Sequence, residues 1–85
     1  MPYSINYTQR CEKDLEAIPP AMAARLRQDF EAFASNPQNA QNIDLRKIQG
    51  QKNVYRIRCG THRILFVREK GSVTAFAAND RKDVY

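Results

Sequence analysis

The sequence predicts an α+β domain in the order β-α-α-β-β-β, with a helical hairpin packed on one face of a small, mostly antiparallel sheet. Three observations predict it. Apolar residues recur at helical spacing from Cys11 to Phe33. From Leu45 onward the period drops to two. Turn-forming residues, Pro19-Pro20, Pro37, Gly60 and Gly71, fall at the boundaries between these stretches. At 85 residues, positions 1–85 form one domain whose core is small for its surface.

Tyr3, Ile5 and Tyr7 alternate with Ser4 and Asn6, which predicts a short strand with one buried face. Thr8 can accept a hydrogen bond from the start of a first helix, whose stripe is Cys11, Leu15 and Ile18. Pro19-Pro20 ends that helix, and Pro20 suits the first turn of a second one carrying Met22, Leu26, Phe30 and Phe33. Ser35-Asn36-Pro37 stops it, and Asn36 to Asp44 reads as a polar surface loop. Three strands are then expected near Val54–Cys59, His62–Val67 and Ser72–Ala78, with turns at Gly60-Thr61 and around Glu69–Gly71.

Composition narrows the function. No stretch approaches the roughly 18 apolar residues of a membrane span and no secretion leader is evident, so a soluble cytosolic chain without membrane contact is expected. Two cysteines make no disulfide framework, and with His62 as the single histidine they make no metal site; no metal or cofactor is expected. Charge is unevenly spread. Residues 1–44 hold four basic and six acidic side chains, or −2, whereas residues 45–85 hold ten and three, or +7. Such asymmetry suits a polyanion or an acidic protein partner, although a basic surface can also serve solubility alone.

The first hairpin concentrates that charge. With Gly60 leading a two-residue turn, the numbers of cross-strand partners sum to 121. Tyr55 then faces Phe66, Ile57 faces Ile64 and Cys59 faces His62, an apolar side for the helices to cover. The other side receives Arg56, Arg58 and Arg63, with Arg58 directly opposite Arg63. Like charges so placed repel, and an anion between them relieves the repulsion. The plain alternative is a solvated face on which arginine blocks edge pairing. For the second hairpin, a three-residue loop Glu69-Lys70-Gly71 puts Val73, Ala75, Ala77 and Asn79 on the arginine face and Phe76 in the core; a two-residue turn would exchange the faces. His62 and Cys59, beside the turn on the covered side, read as structural rather than as acid–base or nucleophilic groups. Tyr3, Tyr7 and Tyr55 read as packing residues, and Arg81-Lys82-Asp83 as a charged tail.

Four segments in order carry a likeness to a known family: Leu45-Arg46-Lys47-Ile48-Gln49-Gly50, Tyr55-Arg56-Ile57-Arg58, Gly60-Thr61-His62-Arg63-Ile64-Leu65-Phe66 and Arg81-Lys82-Asp83-Val84-Tyr85. They resemble the K-L-x-G, Y-[RK]-[IV]-[RK], G-x-x-R-[IVL] and R-x-[DE]-[VI]-Y elements of the RelE/ParE toxin superfamily. The likeness implies a toxin of a type II toxin–antitoxin system with a cognate antitoxin as partner. RelE-like members are ribosome-dependent ribonucleases acting on messenger RNA, so the ribosome and mRNA are implied partners. ParE-like members instead poison DNA gyrase without chemistry, and a decayed relative that only binds RNA or antitoxin is a third reading. Carried over by position, the functional residues are Arg56, Arg58, Arg63, Asn79 and Tyr85; the catalytic set is expected to be Arg56, Arg58, Arg63 and Tyr85, and the RNA-binding set Lys47, Lys52, Asn79 and Arg81. Asn79 departs from the family, whose basic residue or histidine there is replaced by an uncharged amide.

Overall fold

The computed structural model describes residues 2–39 and 41–80. Strand β1, Ser4–Tyr7, leads into helices α1, Gln9–Glu16, and α2, Pro20–Ser35; strands β2, Asp44–Lys47, β3, Val54–Cys59, β4, His62–Glu69, and β5, Ser72–Asp80, follow. The five strands pair in the order β1-β5-β4-β3-β2, with β1 parallel to β5 and all other neighbours antiparallel. The predicted α+β layering is present. The segment Asp44–Lys47, partly expected as loop, adds a strand at the β3 edge.

Local chemistry sets the elements. Thr8 accepts from the Cys11 amide at 3.1 Å, the expected cap of α1, and Pro20 opens α2. Cys11, Leu15 and Ile18 join Leu26, Phe30 and Phe33 in a single core against the sheet. Phe66 is its centre: the ring packs on Phe30 at 5.1 Å, Phe33 at 5.5 Å and Tyr55 at 5.7 Å between centroids. Tyr3 and Tyr7 pack on Phe33 and Phe30, as expected of structural tyrosines. Strand β1 is four residues long and, among the described residues, leaves the far half of β5 without a strand partner on that side. There the Asp14 carboxylate of α1 accepts from the Ala78 amide at 3.1 Å.

The first hairpin has the predicted register, with partners from Val54–Val67 to Cys59–His62 summing to 121 and Gly60 at φ +59°. The second differs. Its turn is Lys70-Gly71, because Glu69 pairs with Ser72, so Val73 and Ala75 lie on the covered face beside Arg68 and Phe66. A bulge opposite Leu65 and Phe66 then absorbs Phe76. Phe76 is half-buried on the open side, not in the core, while Ala77 and Asn79 return to the arginine face as predicted.

Candidate nucleic-acid interface

The face away from the helices is organised in two cross-strand rows. Register alone puts Asp44, Arg58, Arg63 and Asn79 side by side on β2, β3, β4 and β5. The row one step along is Arg46, Arg56, Leu65 and Ala77. The three arginines singled out in the sequence therefore do share one surface, and Arg58 does oppose Arg63. The anion that their mutual repulsion calls for is partly supplied by the chain itself. Asp44 Oδ2 accepts from Arg58 Nε at 3.0 Å, and its Oδ1 accepts from Arg56 Nη1 at 3.2 Å. Arg56 Nη1 also donates to the Asp44 carbonyl at 3.1 Å.

These groups differ in access. The Arg56 side chain is 13% exposed, Asp44 37% and Arg58 45%. Arg56 is thus a buttress within the sheet surface, and Arg58 reaches into solvent. Partial desolvation alone would raise the Asp44 pKa. The Arg56 hydrogen bond and the charges of Arg56, Arg58 and Arg46 outweigh it, so the carboxyl is held below its usual range and stays ionised.

Beside the arginines, Leu65 and Ala77 are buried on this face, outside the main core. Val54, Phe76, Ile48 and Gln49 border them in a shallow recess that Asn79 and Arg10 also line. The floor is thus apolar, with Arg10 as its charged lining residue and Arg56 adjoining Leu65 across the strands. The Oδ1 atom of Asn79 is buried without a hydrogen-bond partner among the described residues.

Other predicted site residues lie elsewhere. Lys47 pairs with Tyr55, which sets it on the opposite face from the arginines, exposed at the sheet edge. Lys52 is exposed in the connection between β2 and β3. Arg81 and Tyr85, like Lys82, Asp83 and Val84, lie outside the described residues. Asp44 is the residue that sequence reasoning missed. The signal was present: Leu45 must face the core beside Ile57, which forces Asp44 onto the Arg58 side.

Cys59 and His62 flank the turn on the covered side, as predicted. The Cys59 thiol donates to Asp29 Oδ2 at 3.0 Å. Burial first, then this bond and the Asp29 charge, push its pKa up to about 12, which leaves a neutral thiol and no nucleophile. His62 Nε2 lies 3.9 Å from Asp80 Oδ2, an imidazole placed at the rim and away from the arginine row.

A five-stranded sheet sealed on one side by a helical hairpin and carrying arginines on the other has the architecture of the small RelE-type toxins. A family model described as the ParE toxin of the type II toxin–antitoxin system matches residues 5–85, and the chain belongs to this RelE/ParE family. The RelE1 toxin of Methanocaldococcus jannaschii is 28% identical over 67 residues, which span 79% of this chain and 74% of that protein. The RelB–RelE antitoxin–toxin complex from Methanococcus jannaschii matches with a TM-score of 0.79 at 25% identity, covering 91% of each chain. The RelBE2 toxin–antitoxin complex from Mycobacterium tuberculosis shares the fold, with a TM-score of 0.75 at 21% identity over 98% of this chain and 95% of that one. Among the described residues no helix is long and apolar enough to cross a membrane.

Proposed function

We propose that this chain is the toxin of a toxin–antitoxin pair and inhibits translation by cutting messenger RNA in the ribosome. The observation that carries the reading is the row Arg58–Arg63, with Arg56 beside it, on the one sheet face that the helices leave open. Arginine grips a phosphodiester through paired N–H groups and remains charged at any working pH. In the proposed reaction the ribose 2′-hydroxyl gives up its proton as its oxygen attacks the adjacent phosphorus, the bond to the 5′-oxygen breaks, that oxygen takes up a proton, and a 2′,3′-cyclic phosphate remains. Arg56, Arg58 and Arg63 stabilise the charge that builds on the phosphoryl oxygens, the kind of electrostatic contribution that often dominates catalysis. Tyr85 is assigned the proton transfer by family position alone, a role for which a phenol has to titrate below its ordinary value of about 10. Lys47, Lys52, Asn79 and Arg81 are assigned RNA contacts, those of Lys47 and Lys52 beyond the arginine face, at the β2 edge and in the β2–β3 connection. The ribosome supplies orientation that so spare a site lacks. The partner in the free state is a cognate antitoxin, as in the RelB–RelE relative, and the +7 second half favours an acidic one. Action takes place in the cytoplasm, on mRNA under translation.

The Asp44 carboxylate bridging Arg56 and Arg58 gives a second reading its support. A pair already half-neutralised suits a toxin that binds without cleaving, such as a gyrase poison. Mapping 5′ ends on translated and untranslated copies of one transcript after brief induction separates the two. Cuts confined to the translated copy are expected; intact messages with damaged DNA would replace the nuclease by the gyrase reading.

A further inference from the structure

We propose that Asp44 is a built-in stand-in for an RNA phosphate, holding Arg56 and Arg58 in place in the free chain and competing with RNA for them, so that it sets the affinity of the open face. The inference rests on the RNA-binding reading above and deepens it.

The geometry is that of a phosphate site. Two carboxylate oxygens each take a different guanidinium, at 3.0 Å from Arg58 and 3.2 Å from Arg56, as the two non-bridging oxygens of a phosphodiester do. The placement follows from the fold, since β2 pairs Asp44 directly with Arg58. The sequence makes it distinctive: Asp44 is the single acidic residue between Glu31 and Glu69, and Arg46, Arg56, Arg58 and Arg63 share its sheet face. Asp44 closes the end of the Arg58–Arg63 row, with Arg46 and Arg56 one step along.

The grip is also releasable. Asp44 and Arg58 are 37% and 45% exposed, and ion pairs with that much solvent contact are weak. A phosphodiester brings the same charge and presents its oxygens from solvent without bending the sheet. Arg56 differs, because the Asp44 main-chain carbonyl holds it as well and keeps its guanidinium in place when the carboxylate swings aside. Asp44 therefore acts through the arginines. It is a positioning and affinity-setting residue, and it takes no part in bond making.

The test measures binding of a fluorescent single-stranded RNA oligonucleotide to the purified chain over a range of salt. Wild type is compared with Asp44→Asn, Asp44→Ser and Arg58→Ala, each checked for folding by circular dichroism. Removal of the competing charge is expected to tighten binding roughly three- to tenfold in both Asp44 variants. In wild type the displaced carboxylate takes up a cation and offsets one released counterion, so without it the slope of log affinity against log salt steepens by about 0.7. A merely structural brace would not steepen that slope. Unchanged or weaker binding by folded Asp44 variants, or failure of both to fold, overturns the proposal and makes Asp44 a structural brace. Unchanged binding by Arg58→Ala removes the RNA reading itself, whatever Asp44 does. Weakened Arg58→Ala with untightened Asp44→Asn removes only the present inference.

Discussion

The two faces of the sheet are built from the same strands by opposite rules. On the covered face, Ile57, Ile64, Phe66 and Val73 are fully buried against Leu26 and Phe30 of α2, and specificity comes from shape. On the open face, Arg58 and Arg63 are forced together by the register that buries those residues. The repulsion there is a consequence of the core and not a contribution to stability. On the reading proposed above, that repulsion, partly relieved by the chain's own Asp44, is kept for an anionic ligand.

If that division is right, substitutions on one face should change stability and those on the other should change binding. The largest stability effect is expected at the aromatic hub. Phe66→Ala removes the ring that three others pack on and should cost about 3–5 kcal/mol in urea unfolding. A loss below about 1 kcal/mol would mean the core is not where the fold is held.

The next effect concerns reactivity. Burial, and then Asp29, hold the Cys59 thiol at a pKa of about 12, and burial with the charges of Asp14 and Glu12 does the same for Cys11. Both thiols should resist iodoacetamide at pH 8 in the native chain and react promptly once it is unfolded. Since their folded pKa values are raised, the neutral thiols support the fold fully below the unfolded value of about 8.5. That support is lost as the pH climbs toward 12. Rapid labelling of native Cys59 would reopen the nucleophile that the geometry argues against.

The smallest effect belongs to the open face. The folded pKa of Asp44 is lowered, so its ion pairs add stability above the unfolded value near 4 and lose it as the pH falls through the folded value. Because Asp44 and Arg58 are solvent-exposed and Arg56 keeps its bond to the residue 44 carbonyl, the stability difference between wild type and Asp44→Asn should be about 0.5 kcal/mol or less at pH 7. It should shrink further on acidification toward pH 3, followed by thermal unfolding. A difference that grows on acidification contradicts the assignment of charge.

How far the sequence could be read follows from the same contrast. The β3–β4 hairpin was legible because Gly60 defines its turn and because a single register buries Tyr55, Ile57, Ile64 and Phe66 together. The β4–β5 hairpin was half legible. Its turn is one residue shorter than expected, which moves Val73 and Ala75 to the covered face, and the bulge at Phe76 then reverses the error for Ala77 and Asn79. Nothing local marks that bulge, since alanine and phenylalanine fit either face. The strand β2 escaped notice because four residues carry too short a period, and with it went Asp44, the partner that completes the arginine cluster. Family likeness supplied Tyr85 and Arg81, which no spacing argument reaches.

The central claim is that the open-face arginines serve function and not fold. Its most direct test is growth inhibition by Arg58→Ala, with the melting temperature of the same purified variant as control. The account predicts loss of inhibition with melting within a few degrees of wild type. A folded Arg58→Ala variant that halts growth as fully as wild type would contradict it.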